Sequence, residues 1–143
     1  MSRMSAREVA AFLEQRNHHA IMATISKDGT PQMSPVWYVY ESGRMYISIP
    51  TGSVKHRNLS RDPRMSICVD GGRQDVRAVM LYGRGNLLGG DDPRTEAYRW
   101  RIIHRYYETE EEARLYYESI QETPSVLVLF EPERVVGQDY NDG

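Results

Sequence analysis

Apolar residues recur at every second position through most of this chain, and at every third or fourth position in a few places. That change of period marks out the elements. Ser5 opens a helix over about 5–16, with Glu8 as its capping-box partner and Val9, Phe12 and Leu13 as the apolar stripe that seats it. From His19 to Ser26 the period drops to two. Ile21, Ala23 and Ile25 alternate with Ala20, Met22 and Thr24, and Lys27-Asp28-Gly29 predicts a hairpin turn. A second strand is expected from about Pro31 to Tyr40, with Met33, Pro35, Trp37 and Val39 on one face. A third runs through Met45, Ile47 and Ile49 after a turn at Glu41-Ser42-Gly43. Connections this short leave no room for a crossover helix, so these three strands are expected to form an antiparallel meander.

Pro50-Thr51-Gly52 stops the third strand, and Val54 to Ser60 reads as a short polar helix ended by Asp62-Pro63. Met65, Ile67 and Val69 resume the alternation until Gly71-Gly72, and Val76 to Leu88 is the longest β-like stretch. The loop Gly89 to Pro93 caps a helix to about Tyr107, Thr109 begins another to about Gln121, and Ser125 to Phe130 is a final strand that Val135-Val136 extends. The order predicts an all-β fold with added helices, a barrel or sandwich of six or seven antiparallel strands. It occupies one domain over 1–143, with the N-terminal helix at 5–16, barrel strands at about 19–88, a helical insert at about 93–121 and the last strand or strands at about 124–136.

Length and composition keep that picture. At 143 residues, 40% of them hydrophobic and 27% charged, the chain has the size and balance of a single globular domain. With 18 basic and 20 acidic residues the net charge is −2, which gives no general attraction to nucleic acid or to a membrane surface. The single cysteine, Cys68, excludes an internal disulfide framework and suits a reducing compartment. No long apolar run occurs, so neither a signal peptide nor a membrane span is expected, and a cytoplasmic location is.

Several chemistries drop out. His18, His19, His56 and His104 include no pair at metal-ligand spacing, and Cys68 has no C-x-x-C partner, so no metal site is expected. Alternation puts Cys68 opposite Ile67 and Val69, as an inert thiol rather than a nucleophile. Gly83-Arg84-Gly85 starts like a dinucleotide fingerprint, but Leu88 stands where the third glycine belongs and the stretch lies within a strand. These glycines are better read as a bulge or bend. With neither a G-x-S-x-G elbow nor a P-loop, any enzymatic chemistry here falls to a bound cofactor, and the catalytic residues stay unknown.

The stretch that carries chemistry is Thr51-Gly52-Ser53-Val54-Lys55-His56-Arg57-Asn58-Leu59. Two cations, two hydroxyl residues and an amide follow a strand end and open a helix, a donor set suited to a phosphate. By itself the segment also reads as a solvated basic helix. Its surroundings are Ala23-Thr24-Ile25-Ser26-Lys27-Asp28-Gly29-Thr30-Pro31-Gln32-Met33-Ser34-Pro35-Val36-Trp37 before it, Ser48-Ile49-Pro50 leading into it, and Asp62-Pro63-Arg64 after it. Over Met22 to about Leu88 this combination resembles the pyridoxamine-phosphate-oxidase-like (FMN-binding) split-barrel superfamily, and within it the small deazaflavin-dependent branch.

The resemblance implies a homodimeric split β-barrel of six strands that binds a flavin or the 8-hydroxy-5-deazaflavin coenzyme F-420 in the dimer groove. Position by position, it gives Thr51, Ser53, Lys55, Arg57 and Asn58 to the cofactor phosphate and its linker. It sets Gln32, Ser34, Pro35 and Val36 against the tricyclic ring, with Ser48, Ile49 and Pro50 beside it. It matches Asp75-Val76-Arg77 to a region that reaches the cofactor from the other subunit. True pyridoxamine phosphate oxidases are longer and end in an Arg- and Trp-bearing motif. Here the corresponding stretch reads Val135-Val136-Gly137-Gln138-Asp139-Tyr140 and carries no such motif, so that activity is not expected.

The leading expectation is an oxidoreductase passing hydride from reduced F-420 to an unsaturated small molecule, with Lys27, Arg61 and Arg77 as candidates for the acidic tail. An FMN-dependent oxidoreductase of the same fold is the alternative. A reading of another class is a non-catalytic flavin carrier or a haem-binding module using His18, His19 or His104. The aromatic residues of the insert, Tyr98, Trp100, Tyr106, Tyr107, Tyr116 and Tyr117, are expected in the core, at a dimer seam or over a substrate pocket.

Overall fold

The computed structural model describes residues 1–16 and 18–141. In chain order the elements are β1 (Ser2–Arg3), α1 (Ala6–Glu14), β2 (Ala20–Ile25), β3 (Pro31–Val36), β4 (Val39–Glu41), β5 (Arg44–Pro50), α2 (Val54–Arg61), β6 (Arg64–Asp70), β7 (Arg77–Leu88), α3 (Pro93–Tyr106), α4 (Glu110–Ile120) and β8 (Ser125–Asp139). All pairings are antiparallel. The sheet runs β3-β2-β6-β7-β8-β5-β4, with β1 paired to β8, and it curls into the half-barrel of a split-barrel fold with four helices around it.

Local rules account for the helix starts. Ser5 and Glu8 form the reciprocal capping box of α1, whose Val9, Phe12 and Leu13 are buried. Ser53, Asp92 and Thr109 cap α2, α3 and α4. The hairpin between β2 and β3 turns through Gly29 at φ 90°. Ser42 and Gly43 carry φ 52° and 79°, the paired positive values that a two-residue hairpin requires. The half-barrel closes over Phe12, Leu13, Met22, Met45, Ile47, Ile49, Leu81 and Phe130, all fully buried. No described helix is long and apolar enough to cross a membrane.

Two expectations about the strands are corrected. The stretch Pro31 to Tyr40 is not one strand but two, β3 paired with β2 and β4 with β5, so the strands expected at 19–26, 31–40 and 45–49 do not form a meander: β3 and β4 lie at opposite edges of the sheet. The break falls at Trp37-Tyr38 because the Tyr38 backbone is bonded outside any ladder. Its N–H donates to the Tyr106 hydroxyl at 3.4 Å, and its carbonyl accepts from Arg105 Nη1 at 2.9 Å. The buried Tyr38 hydroxyl donates to the Leu13 carbonyl at 2.9 Å, fixing the crossing to α1. The last strand runs unbroken from Ser125 through Pro132 to Asp139, so Val135-Val136 extend it as expected and it reaches a little beyond residue 136. Its register against β7 shifts between Tyr82 and Gly83, the bulge foreseen from the glycines, and Pro132 falls opposite Gly83 at that irregularity.

Candidate functional site

β4 pairs with β5 only as far as Val39 opposite Tyr46. Beyond that point Ile47 to Pro50 keep β8 on one side and have no ladder partner on the other. Here the barrel is split, and a cleft of about 540 Å³ opens between Pro35-Val36-Trp37 and Ser48-Ile49-Pro50. Lys55 from the first turn of α2 enters from one end. Arg99, Ile102 and Ile103 of α3, Tyr116 and Ile120 of α4, and the run Thr123-Pro124-Ser125 complete the wall, with His19 at its margin. Such a volume is in the usual range for a small-molecule site.

α2 begins where β5 ends because Gly52, at φ 82°, makes a backbone turn that a residue with a side chain adopts only under strain. The Thr51 N–H is tied to the Pro124 carbonyl at 3.0 Å, so the start of β8 holds this corner. The Ser53 hydroxyl accepts the His56 N–H at 3.3 Å, and His56 Nδ1 accepts the Gly52 N–H at 2.8 Å. Val54 and Lys55 occupy first-turn positions, whose N–H groups have no acceptor within the helix.

The cleft is electrostatically one-sided. Among the described residues its wall carries the cations Lys55 and Arg99 and no carboxylate. Arg99 is buried, pairing with Glu96 at 3.2 Å and donating to the Ile120 carbonyl at 2.6 Å. Lys55 is half-buried and has no ion pair or hydrogen bond among the described residues. Burial pushes its ammonium below the ordinary lysine pKa, with no opposing carboxylate. Ser34 Oγ and Ser125 Oγ are buried hydroxyls without a hydrogen-bond partner among the described residues. Trp37 stacks on Tyr106 at 4.8 Å and 7°, with Tyr107 and Tyr116 around it at 5.9 Å and 5.8 Å.

Of the residues singled out in the sequence, the structure brings Pro35, Val36, Ser48, Ile49, Pro50 and Lys55 together in this cleft. Thr51 and Ser53 stand at the corner beside it. Ser34 is not part of the lining and its hydroxyl is unpaired among the described residues, while Gln32, Arg57, Asn58 and Arg77 bond within the chain. Arg57 is exposed and donates to the Gly52 carbonyl at 2.6 Å. Asn58 is buried in a directed chain: Arg61 donates to Asn58 Oδ1, Asn58 Nδ2 to Thr24 Oγ1, and Thr24 Oγ1 to Gln32 Oε1, each at 3.1 Å. That chain spends the Asn58 side chain on the core and leaves Gln32 its amide N–H groups. Arg77 grips Asp75 through Nε and Nη2, both at 2.6 Å, and lies over the Phe12 ring rather than in the cleft.

Sequence reading missed Arg99, Thr123 and Ser125 because nothing local distinguishes them. Tyr116 and the Trp37–Tyr106 stack were signalled only by the aromatic content of the insert. The thiol of Cys68 is pushed up by burial, in keeping with an inert cysteine. Among the described residues no cluster of three or more metal-ligating side chains occurs. His18 is buried, stacked on Phe12 at 4.3 Å and 3.0 Å from Gln15 Oε1.

The family model for pyridoxamine 5′-phosphate oxidase matches residues 5–139. Among solved structures, a conserved hypothetical protein of Mycobacterium tuberculosis is 25% identical with a TM-score of 0.73, over 95% of this chain and 85% of that one. A FAD-binding protein from Mesorhizobium loti is 24% identical with a TM-score of 0.69, over 95% and 93%. An F-420 reductase is 19% identical with a TM-score of 0.67, over 87% and 93%.

Proposed function

The chain belongs to the pyridoxamine 5′-phosphate oxidase family, and from that premise we propose that it is an oxidoreductase whose cleft holds a flavin-type cofactor. F-420 is the leading candidate. The observation that carries the reading is Lys55: a half-buried ammonium at the start of a helix, with no counter-ion and no cleft carboxylate among the described residues. A phosphate completes such a set, because it meets the ammonium and the first-turn N–H groups together. Thr51 and Ser53 flank that position. Arg57 joins it by exchanging its bond to the Gly52 carbonyl for the anion. Pro35, Val36, Ser48, Ile49 and Pro50 then border the ring, and the orphaned Ser34 hydroxyl and the Gln32 amide are the polar groups nearest in sequence to it on β3.

The bound cofactor supplies hydride when reduced, and one hydride with one solvent proton saturates a double bond of the substrate. The protein binds, orients one ring face and excludes water. FMN is a second reading with its own support. The F-420 tail calls for basic groups along a groove, and of Lys27, Arg61 and Arg77 the latter two are already bonded, to Asn58 and Ile25 and to Asp75. Fluorescence titration with F-420 and with FMN separates them, the tighter ligand being the cofactor. Lys55→Ala is expected to weaken the preferred one by at least about tenfold, the usual scale for a charge-assisted contact; undiminished affinity removes the phosphate assignment. A Soret band formed on adding haem, with neither flavin bound, moves the reading to a haem module, for which His19 at the cleft margin is the placed histidine.

The homodimer belongs to the same proposal. Ile21, Met33 and Tyr82 are exposed, and the register pairs Ile21 with Pro35 and Cys68, Ala23 with Met33 and Ser66, and Ser66 with Tyr82. They therefore share the outer face of β2, β3, β6 and β7. A second concavity of about 480 Å³ lies on it, rimmed by Arg64, Arg84 and Arg134. A second copy of the chain covers this face.

A further inference from the structure

The cleft is longer than the cofactor assignment uses. Its lining goes on to Arg99 of α3, Tyr116 of α4 and Ser125 of β8, none of them assigned to the cofactor, and three observations give that part a chemistry of its own.

The first is Ser125. It stands opposite Pro50 in the β5–β8 register and lines the cleft, it is 9% exposed, and its Oγ has no hydrogen-bond partner. A buried hydroxyl left unpaired is a cost to the fold, so one on a cleft wall points to a ligand that pairs it. The second is charge. The buried Arg99 guanidinium forms part of the same wall, and its one acidic partner, Glu96, is half exposed and absent from the lining. The third is shape. Trp37 has one face covered by Tyr106 and borders the cleft, and Tyr116 reaches the same space from α4. Flat aromatic walls favour a flat, conjugated ligand, by stacking and by apolar burial.

We propose that the part of the cleft between Trp37, Tyr116, Arg99 and Ser125 is the substrate subsite, and that it takes a planar aromatic or conjugated carboxylate whose anionic group pairs with Ser125 and Arg99. The proposal rests on the cofactor reading for the word substrate. The binding site itself does not depend on it.

The test uses 2-naphthoate as the probe and its neutral relative 2-naphthalenemethanol as the control, titrated by calorimetry into the full-length protein. Naphthoate is expected to bind at least about tenfold more tightly than the alcohol, the scale of one charge-assisted contact. It is also expected to bind with FMN or F-420 already at saturation. Ser125→Ala is expected to weaken naphthoate about fivefold or more with no loss of thermal midpoint, since it removes an unpaired hydroxyl rather than a contact. Tyr116→Ala, at a partly exposed position, gives a second variant that does not disturb the core. Equal affinity for acid and alcohol, or an unchanged naphthoate affinity in both variants, overturns the subsite. Competition between naphthoate and the cofactor also overturns it, and assigns this space to the cofactor ring. Failure of both cofactors to bind, with naphthoate binding and its Ser125 dependence intact, overturns the cofactor reading and leaves the subsite standing.

Discussion

Lys55 and Arg57 are two residues apart on α2, roughly 200° around the helix, and their environments diverge accordingly. Lys55 turns to the cleft and loses solvation, while Arg57 lies on the exposed side and caps the Gly52 carbonyl. The chain Arg61 to Asn58 to Thr24 to Gln32 makes Asn58 a residue that holds α2 on β2, which explains its burial better than a ligand contact does. His18 is where a single residue sets a pH dependence. Burial is the main cause that lowers its pKa below the ordinary value of 6.5. The unfolded chain therefore takes up this proton at a higher pH than the folded one, so stability is full above about pH 6.5 and falls as the pH drops from there towards the folded value. Urea midpoints measured from pH 7.5 down to 5.5 are expected to decline, and to decline less in His18→Gln. Equal slopes in the two proteins would remove His18 as the cause.

At the scale of elements, the close approach of β7 to its neighbours depends on glycine. The Gly85 N–H donates to the Pro63 carbonyl at 2.8 Å, and a Cβ at this position would lie 2.6 Å from Met65 Sδ and 2.9 Å from Val128 Cγ1. Methionine yields but the branched Val128 does not, so Gly85→Ala is expected to cost about 1–3 kcal/mol in chemical denaturation. Lys55 lies on another element, and its cofactor affinity is expected to survive the substitution. Retained stability would mean that β8 moves aside. The crossing at Trp37-Tyr38 is the other decisive element. Arg105 donates to the carbonyls of Tyr38, Leu13 and Gln15 and so ties α1, α3 and the crossing into one joint beside the cleft. Within that joint the Tyr106 hydroxyl is pushed up to about 12, chiefly by burial, which keeps it a neutral donor to the His18 carbonyl.

For the whole molecule, the exposed face around Ile21, Met33 and Tyr82 makes the assembly testable. The protein is expected to sediment at about twice its 16.6 kDa chain mass. Met33→Arg with Tyr82→Arg is expected to shift it to the single-chain mass, because like charges buried in a self-facing seam already rimmed by arginines repel and are desolvated. A wild-type protein at the single-chain mass refutes the dimer.

How much of this was legible beforehand follows the range of the interactions. Capping at Ser5, Ser53, Asp92 and Thr109, the turns at Gly29 and Gly43, and the bulge near Gly83 are written in short segments, because each depends on neighbours a few residues away. The same locality makes the Thr51 to Leu59 segment readable as an anion-binding helix start, and the chain's family with it. The fates of Arg57, Asn58 and Arg77 were not legible, nor were the break at Tyr38 and the parts of Arg99 and Ser125. For Asn58, Tyr38 and Ser125 the partner lies tens of residues away, Thr24, α3 and the end of β5 in turn, whereas Arg57 and Arg77 are held by near neighbours, Gly52 and Asp75. A sequence specifies which groups a segment carries. Only the closed tertiary structure decides which of them are spent on one another and which, like Lys55 and Ser125, have no hydrogen bond or ion pair among the described residues.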